Sequence, residues 1–332
     1  MSILSKTYFH NEADAFAHLE SIIWADGVTC PHCGNCGKIY ELRGVRSKPS
    51  KKNPEGVERH GLKKCAECRK QFTVRVGTVF ESSHVPLHKW LQAAYLMMSS
   101  KKGISSLQLQ RTLEVTYKTA WFMSHRLREA MVQNVLPPMG GEGKVIEADE
   151  TYIGNKLTKK ERMDNMKWVR KDGKIRRVGP RGFAHKHTVV SLVERGGEVR
   201  SFHVQSATTA VVSQILTDNA DKRSRLMTDE SKLYIKSGET FADHESVKHK
   251  HKEYVRGEAY TNTIEGYFSI FKRGMKGIYQ HCSEKHLHRY LAEYDFRYNN
   301  REALGSNDII RTNTALSGIV GKRLLYRDSP IA

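Results

Sequence analysis

No stretch of the 332 residues holds the ~20 consecutive apolar residues that a membrane-spanning helix needs. The first twenty, MSILSKTYFHNEADAFAHLE, lack the basic start and apolar segment of a secretory signal. No internal repeat is visible. Acidic residues are in short supply: 36 Asp and Glu stand against 55 Lys and Arg, for a formal charge of +19. A folded chain this short of negative charge implies an acidic partner, and nucleic acid is the first candidate. An anionic membrane surface is the rival, but no amphipathic anchor of note accompanies the charge. These absences predict a cytoplasmic, nucleoid-associated protein whose thiols stay reduced. Cysteine, too, is scarce outside one segment. Five of six lie between Cys30 and Cys68, and Cys282 stands alone. A disulfide framework would be spread more evenly, so the clustering points to a metal.

The clustered cysteines read CPHCGNCGK and CAEC. Two Cys-x-x-Cys pairs across a long loop suit a four-thiolate zinc ribbon, because four sulfurs complete a closed tetrahedral shell. Five thiols compete for four places, since Cys30/Cys33 and Cys33/Cys36 are both possible first pairs. The preferred set is Cys30, Cys33, Cys65 and Cys68, with Cys36 spare. A redox Cys-x-x-Cys is the alternative, but no thioredoxin-like pattern surrounds it. The intervening ELRGVRSKPSKKNPEGVERHGLKK is basic and rich in Gly and Pro, which predicts a loop facing DNA.

With 39% hydrophobic residues, the chain has material for a core, and its length suggests two or three domains. Residues 1–21 read as a helical arm and 22–82 as the ribbon. Residues 86–133 read as three helices, PLHKWLQAAYLMMSS, SSLQLQRTL and YKTAWFMSHRLREAMV, the last two joined tightly enough for a helix-turn-helix. A Pro/Gly-rich linker, LPPMGGEGK, precedes a mixed α/β segment expected over 140–305, and 306–332 reads as a tail. In that segment KVIEADETYIG is strand-like, HKHTVVSLVERGGEVRSFHVQ a hairpin, TTAVVSQILTDNA a helix, RLMTDES a short strand, and AYTNTIEGYFSIFK another helix. An insertion at 156–186 carries twelve Lys or Arg against three Asp or Glu. It reads as a DNA-binding loop that orders on contact, with Lys167, Arg170, Arg176 and Arg177 for phosphates and Trp168 and Phe183 for stacking.

In AYTNTIEGYFSIFK, Ile264, Phe268, Phe271 and Met275 share one helical face; Asn262, Glu265, Ser269, Lys272 and Lys276 share the other. That pattern alone suits a core face and a wet face. Asp149 in VIEADET and Asp229 in RLMTDES change the odds, because carboxylates at strand ends in a mixed α/β domain tend to converge on one edge of the sheet. Glu147, Glu150 and Glu230 shadow them. Two or three carboxylates together are costly without a cation, and Mg2+ or Mn2+ removes the cost. Two such ions clamp the oxygens of a phosphoryl displacement. The histidines from His244 to His251 read as a solvated basic segment. His281 and His286 read as surface or DNA-facing, and the final helix EKHLHRYLAEYDFRYNN as packing for the core.

The ordered set of the ribbon, QFTVRVGTVFESSHVPLHKW, KTAWFMSHRLREAM, EADETYIGNK, MTDES, TNTIEGYFSIFKRGMKGIYQH and KHLHRYLAEYDFRYNNR resembles the bacterial insertion-sequence transposases with an N-terminal zinc ribbon and an RNase H-like domain, a group related to the Merlin transposases of eukaryotes. The resemblance runs over roughly residues 15–302. It implies a multidomain α/β fold of zinc ribbon, helix-turn-helix and RNase H-like mixed-sheet core. It places the first two catalytic acids on Asp149 and Asp229. The third falls on Glu265 or on Asn262, since many relatives use asparagine there, with Lys272 downstream against a phosphate. Asp149, Asp229 and Glu265 would hold magnesium. The ribbon and helix-turn-helix would bind terminal inverted repeats, with Lys118, His125, Arg126 and Arg128 as base readers in the major groove. A homodimer or larger synaptic assembly on double-stranded DNA is implied. The rival readings are another RNase H-like nuclease such as a resolvase, and a catalytically silent zinc-ribbon regulator.

Overall fold

The computed structural model describes residues 2–51, 53–133, 136–154, 158–171, 173–178, 186–247 and 255–325. The chain divides into two units. The first takes Met1–Gln133, Gly277–Gln280 and Ala292–Ala332; the second takes Asn134–Lys276 and His281–Leu291.

The first unit begins with α1 (Glu12–Ile23), capped by the side chain of Asn11. It then carries a three-stranded antiparallel sheet of β1 (Ile39–Glu41), β2 (Lys63–Cys65) and β3 (Gln71–Phe72). Three helices follow: α2 (Leu87–Ser99), α3 (Ser106–Leu113) and α4 (Tyr117–Met131). Ser105 caps α3 and Thr116 caps α4 through their hydroxyls, as the sequence invites. Between those helices Glu114 takes a left-handed conformation, φ 53°, and closes the turn. The arm expected at 1–21 is not separate, because Ala15, Phe16 and Leu19 of α1 are buried in the same core as Trp90, Met97 and Leu127.

In the second unit, β4 (Val145–Ile153) is the middle of a five-stranded sheet. Then come α5 (Lys159–Asp164) and a separate hairpin of β5 (Lys167–Lys171) and β6 (Lys174–Val178). The large sheet continues with β7 (His187–Glu194), β8 (Val199–Val204), α6 (Thr209–Asn219), β9 (Arg225–Asp229), α7 (Ile235–Gly238) and β10 (Asp243–Val247). Its order is β10-β9-β4-β7-β8, with β4, β9 and β10 parallel and β7 and β8 antiparallel to their neighbours. This mixed sheet is RNase H-like in its strand order. A small pair, β11 (Val255–Arg256) and β12 (Ala259–Tyr260), leads into α8 (Asn262–Gly274), which runs on into a π-helical turn at Met275–Tyr279.

The period-2 rule assigns the sheet's faces. Ile146, Ala148, Val190 and Leu192 pack with Val212, Ile215 and Leu216 of α6. The odd-numbered positions of β4 and β7 face α8. Ile264, Tyr267, Phe268 and Phe271 of α8 are buried, whereas Asn262, Glu265 and Ser269 are exposed. The two stripes read from the sequence are therefore present.

Three expectations need correction. The 306–332 segment is not a tail: α10 (Asp308–Ser317) buries Ala315 and Leu316 in the first unit's core, with Ile319 just beyond it. The last long helix, α9 (Glu284–Asn299), does not pack only the catalytic core, since from Ala292 onward it belongs to the first unit. The basic insertion is not a bare loop, since α5 and the β5–β6 hairpin form within it; Phe183 lies outside the described residues. Among the described residues, no helix is long and apolar enough to cross a membrane.

Candidate active site and zinc ribbon

The four ribbon sulfurs converge. Cys30 and Cys68 Sγ are 3.7 Å apart, as are Cys33 and Cys65 Sγ, and all four atoms lie within 4.8 Å of one another. A regular tetrahedron with metal–sulfur bonds of ~2.3 Å has edges of roughly 3.8 Å, so the donor set fits zinc. Cys36 lies outside this set; its thiol contacts Thr29 Oγ1 and the Gly34 carbonyl instead. Asn35 Nδ2 approaches Cys65 Sγ at 3.7 Å, a donor that favours the thiolate.

In the second unit, β4 and β9 run parallel in register from Val145 beside Arg225 to Ala148 beside Thr228. Asp149 and Asp229 are the next residues along the two strands. Asp149 faces the α8 side, because it pairs with Ser191, whose neighbour Ser201 meets the Tyr267 hydroxyl at 2.9 Å. Burial pushes the Asp149 carboxyl up to about 8, and the charges of Asp229, Glu150 and Glu265 add to the rise, against a hydrogen bond from the Glu150 N–H. Asp229 accepts the Ser231 N–H at 2.9 Å. Burial lowers the Lys272 ammonium; Asp149 opposes that drop, and Lys276 and Lys186 add to it. The acidic group is more open than the ribbon. Among the described residues, the sets of three or more ligand atoms within 4.8 Å are the four cysteines and His187, His203 and Glu284.

The residues that shadow Asp149 have other work. Glu147 is fully buried. Its Oε1 accepts Arg195 Nε at 2.7 Å and Thr263 Oγ1 at 2.9 Å, and its Oε2 accepts the Ile264 N–H at 2.9 Å. Thr261, at the N-cap of α8, makes no side-chain cap bond of its own. Glu147 thus caps α8 from a neighbouring strand, placing a carboxylate at the positive end of the helix dipole. Arg195 also donates to the Glu258 and Tyr260 carbonyls and lies over the Tyr260 ring at 3.5 Å. Glu150 points to the other sheet face, where the buried Tyr234 hydroxyl donates to it at 2.8 Å. Arg195 and Tyr234 were not read from the sequence. The i, i+2 spacing of Glu147 and Asp149 on one strand face was the available signal for the cap.

The nucleic-acid candidates divide sharply. Lys118 is exposed, as are Lys167, Trp168, Arg170, Arg176 and Arg177 on the hairpin, where Trp168 is 69% exposed. In contrast, His125, Arg126 and Arg128 are buried, so they do not read bases. Arg126 donates to the Val79, Glu81 and Leu324 carbonyls. Arg128 Nε meets Glu293 Oε2 at 2.6 Å, and Arg297 and the Tyr279 hydroxyl satisfy the other carboxylate oxygen. Burial pushes the Glu293 carboxyl up, but the Arg128 and Arg297 cations outweigh it and hold it low. His286 is buried beside Arg289, not surface-facing. The segment expected to be solvated around His244 begins with β10, where the half-buried His244 Nε2 meets Thr228 Oγ1 at 2.9 Å; His249 and His251 lie outside the described residues.

Comparison with known proteins matches two regions of the chain. Residues 10–71 match the transposase zinc-ribbon domain, and residues 140–299 match the ISXO2-like transposase domain. The chain thus carries, in this order, the zinc-ribbon and ISXO2-like domains found in insertion-sequence transposases. A relative from Halobacterium salinarum, described as an uncharacterized protein in transposable element ISH50, is 29% identical over 301 residues, which is 87% of this chain and 91% of that one. Among solved structures, the simian T-cell lymphotropic virus intasome in complex with the PP2A regulatory subunit B56 gamma aligns at a TM-score of 0.26 and 12% identity. That alignment covers 56% of this chain and 63% of the other, under two thirds of its length.

Proposed function

We propose that this protein is a transposase of the DDE type, with Asp149, Asp229 and Glu265 as its acidic centre. It binds the terminal inverted repeats of its element, cuts strands to leave 3′-hydroxyls, and joins those ends to target DNA. The observation that carries the reading is the β4–β9 register, which sets Asp149 next to Asp229 at the edge bordered by α8. The raised Asp149 carboxyl reports the same crowding, since Asp229 and Glu265 both contribute to it. Carboxylates held this close suit hard divalent cations with oxygen ligands. Bound there, magnesium or manganese would activate a water or a 3′-hydroxyl and neutralise charge on the leaving oxygen.

The chain's own residues supply the rest. Asp149 would hold the ion in its ionised form, its proton passing to solvent. Lys272, on the polar side of α8 and within the field of Asp149, offers a cation to a phosphate next to the scissile one. Glu147 and Arg195 hold the start of α8, and so the backbone that carries Glu265, against the sheet. On the hairpin, Trp168, Arg170, Ile175 and Arg177 share one face by register, giving a stacking surface flanked by cations for DNA. Lys118 at the exposed start of α4 and the basic loop of the ribbon extend the phosphate contacts, and the ends are brought together by a dimer or larger assembly.

The test uses duplexes bearing the element's terminal repeats, with magnesium. Asp149→Ala and Asp229→Ala should each abolish strand cleavage and joining while end binding persists. Cleavage that survives either substitution rules out this centre. Cleavage without joining of a 3′-hydroxyl end would favour a resolvase-like nuclease.

A further inference from the structure

His187 opens β7, and His203 lies near the end of β8. Val189 stands opposite His203, so His187 is the diagonal neighbour of His203 on the same sheet face. Their rings are 5.8 Å apart, centroid to centroid, and nearly perpendicular at 82°. Glu284, the first residue of α9, brings its carboxylate to both: Oε2 lies 3.8 Å from His187 Nδ1, and Oε1 lies 3.6 Å from His203 Nε2. One ligand atom from each of the three residues falls within 4.8 Å of the other two.

Hydrogen bonding does not account for this convergence, because both nitrogen–oxygen distances are too long for it. His203 Nε2 is buried and has no hydrogen-bond partner among the described residues. A buried imidazole nitrogen in that state is costly unless something binds it. Burial lowers the His203 imidazole, with Glu284 opposing and His187 assisting, which favours the neutral form that ligates metals.

We propose that His187, His203 and Glu284 hold one divalent transition ion of the zinc class, which fastens the N-terminal end of α9 to the β7–β8 pair. Two imidazoles and one carboxylate form a ligand set suited to zinc. Metal–ligand bonds of ~2.0–2.2 Å in a tetrahedron give edges of roughly 3.4 Å; the two histidine–carboxylate edges need to close by only a few tenths of an ångström, and the two imidazole nitrogens start within 4.8 Å of each other. Glu284 keeps 57% of its side chain exposed, which leaves the fourth position to a water or a phosphate oxygen. The site is separate from the acidic centre. His187 lies four residues along β7 from Ser191, the partner of Asp149, a separation of ~13 Å along the strand, far beyond the ~4 Å of a catalytic metal pair. The proposal does not depend on the DDE reading.

The full chain, equilibrated with buffered free zinc and analysed for bound metal, should hold two equivalents per chain. His203→Asn and Glu284→Gln should each hold one, since the cysteine ribbon keeps its own. A single equivalent in the wild-type chain, or two in both variants, overturns the proposal. A second measurement needs no variant. With the ribbon already filled by zinc and excess magnesium present to occupy the acidic centre, the wild-type chain is titrated with Co2+. One further equivalent with weak visible bands and no thiolate charge-transfer absorption supports nitrogen and oxygen ligation; no uptake, or thiolate absorption, overturns it.

Discussion

The buried carboxylate of Glu147, on β4, accepts the backbone N–H of Ile264, in the first turn of α8, at 2.9 Å. A strand residue thereby does the capping that the Thr261 side chain does not. The same oxygen pair takes Arg195 and Thr263, so the cap, the β7–β8 turn and α8 are joined at one point.

Glu147→Ala should therefore destabilise the protein by about 3–5 kcal/mol, because it leaves Arg195 without its carboxylate and α8 without its cap. Urea unfolding measures this. Glu147→Gln keeps an acceptor for Ile264 and should lose less. An unchanged unfolding midpoint in the alanine variant would mean that the cap contributes nothing.

Metal binding at the acidic centre should depend on pH in a particular direction. The folded Asp149 carboxyl sits at about 8, above its ordinary value of 3.8. A raised carboxylate contributes stability that is present below its unfolded value and is lost as pH rises through the folded one. The metal-free protein should thus become less stable between about pH 4 and 8. Magnesium requires the ionised form, so its binding at pH 7 should release close to one proton, and its apparent affinity should climb up to about pH 8 and then level off. Calorimetry in buffers of different ionisation enthalpy counts the proton. No release would mean that Asp149 is already ionised.

In the ribbon, Cys65→Ser should abolish zinc binding there and loosen the β1–β3 sheet, because a structural zinc contributes folding energy directly. Cys36→Ser should retain the metal, since its sulfur lies outside the four-sulfur set. Zinc content and thermal unfolding of the two variants separate these outcomes.

These residues also mark what a sequence can disclose. The ribbon spacing and the two stripes of α8 follow from short-range periodicity, and each has its counterpart in the fold; the choice of Asp149 and Asp229 over Glu147, Glu150 and Glu230 rests on the family resemblance. The strand β10 escaped notice because DHESV reads as polar; it forms by pairing with β9 and by the bond from His244 to Thr228, neither visible locally. Arg126 and Arg128 resemble DNA readers on the third helix for a similar reason. Their partners, Leu324 and Glu293, lie 198 and 165 residues away. Asp149 and Glu147 alternate identically along β4, and only the neighbouring helix distinguishes the capping carboxylate from the acid beside Asp229.

Arg128→Ala should accordingly act on stability, not on DNA. Removing one partner of the fully buried Glu293 should cost about 3–5 kcal/mol. Arg170→Ala and Arg176→Ala, on the exposed hairpin, should leave stability within about 0.5 kcal/mol. If each contacts a phosphate, each should lower the salt dependence of DNA binding by about one unit of log–log slope. A stable Arg128→Ala protein with weakened DNA binding would reverse the assignment.

The third acidic position is decided one helical turn apart. Asn262 begins α8 and Glu265 lies three residues on; both are exposed on the polar stripe. Glu265 contributes to the raised Asp149 carboxyl, which places its charge within the field of the centre. Asn262 carries no charge and would ligate only through its amide oxygen, a weaker donor for a hard cation. Glu265 also has Thr261 Oγ1 3.4 Å from its Oε1, a contact that steadies it over the first turn of the helix. Glu265→Gln should therefore abolish strand cleavage and leave end binding intact, whereas Asn262→Ala should retain cleavage. Manganese, a softer ion than magnesium, should rescue Glu265→Gln in part if the position is a metal ligand. The opposite pattern, with loss in Asn262→Ala and full activity in Glu265→Gln, would assign the centre to asparagine, and Glu265 would then serve the first turn of α8 alone.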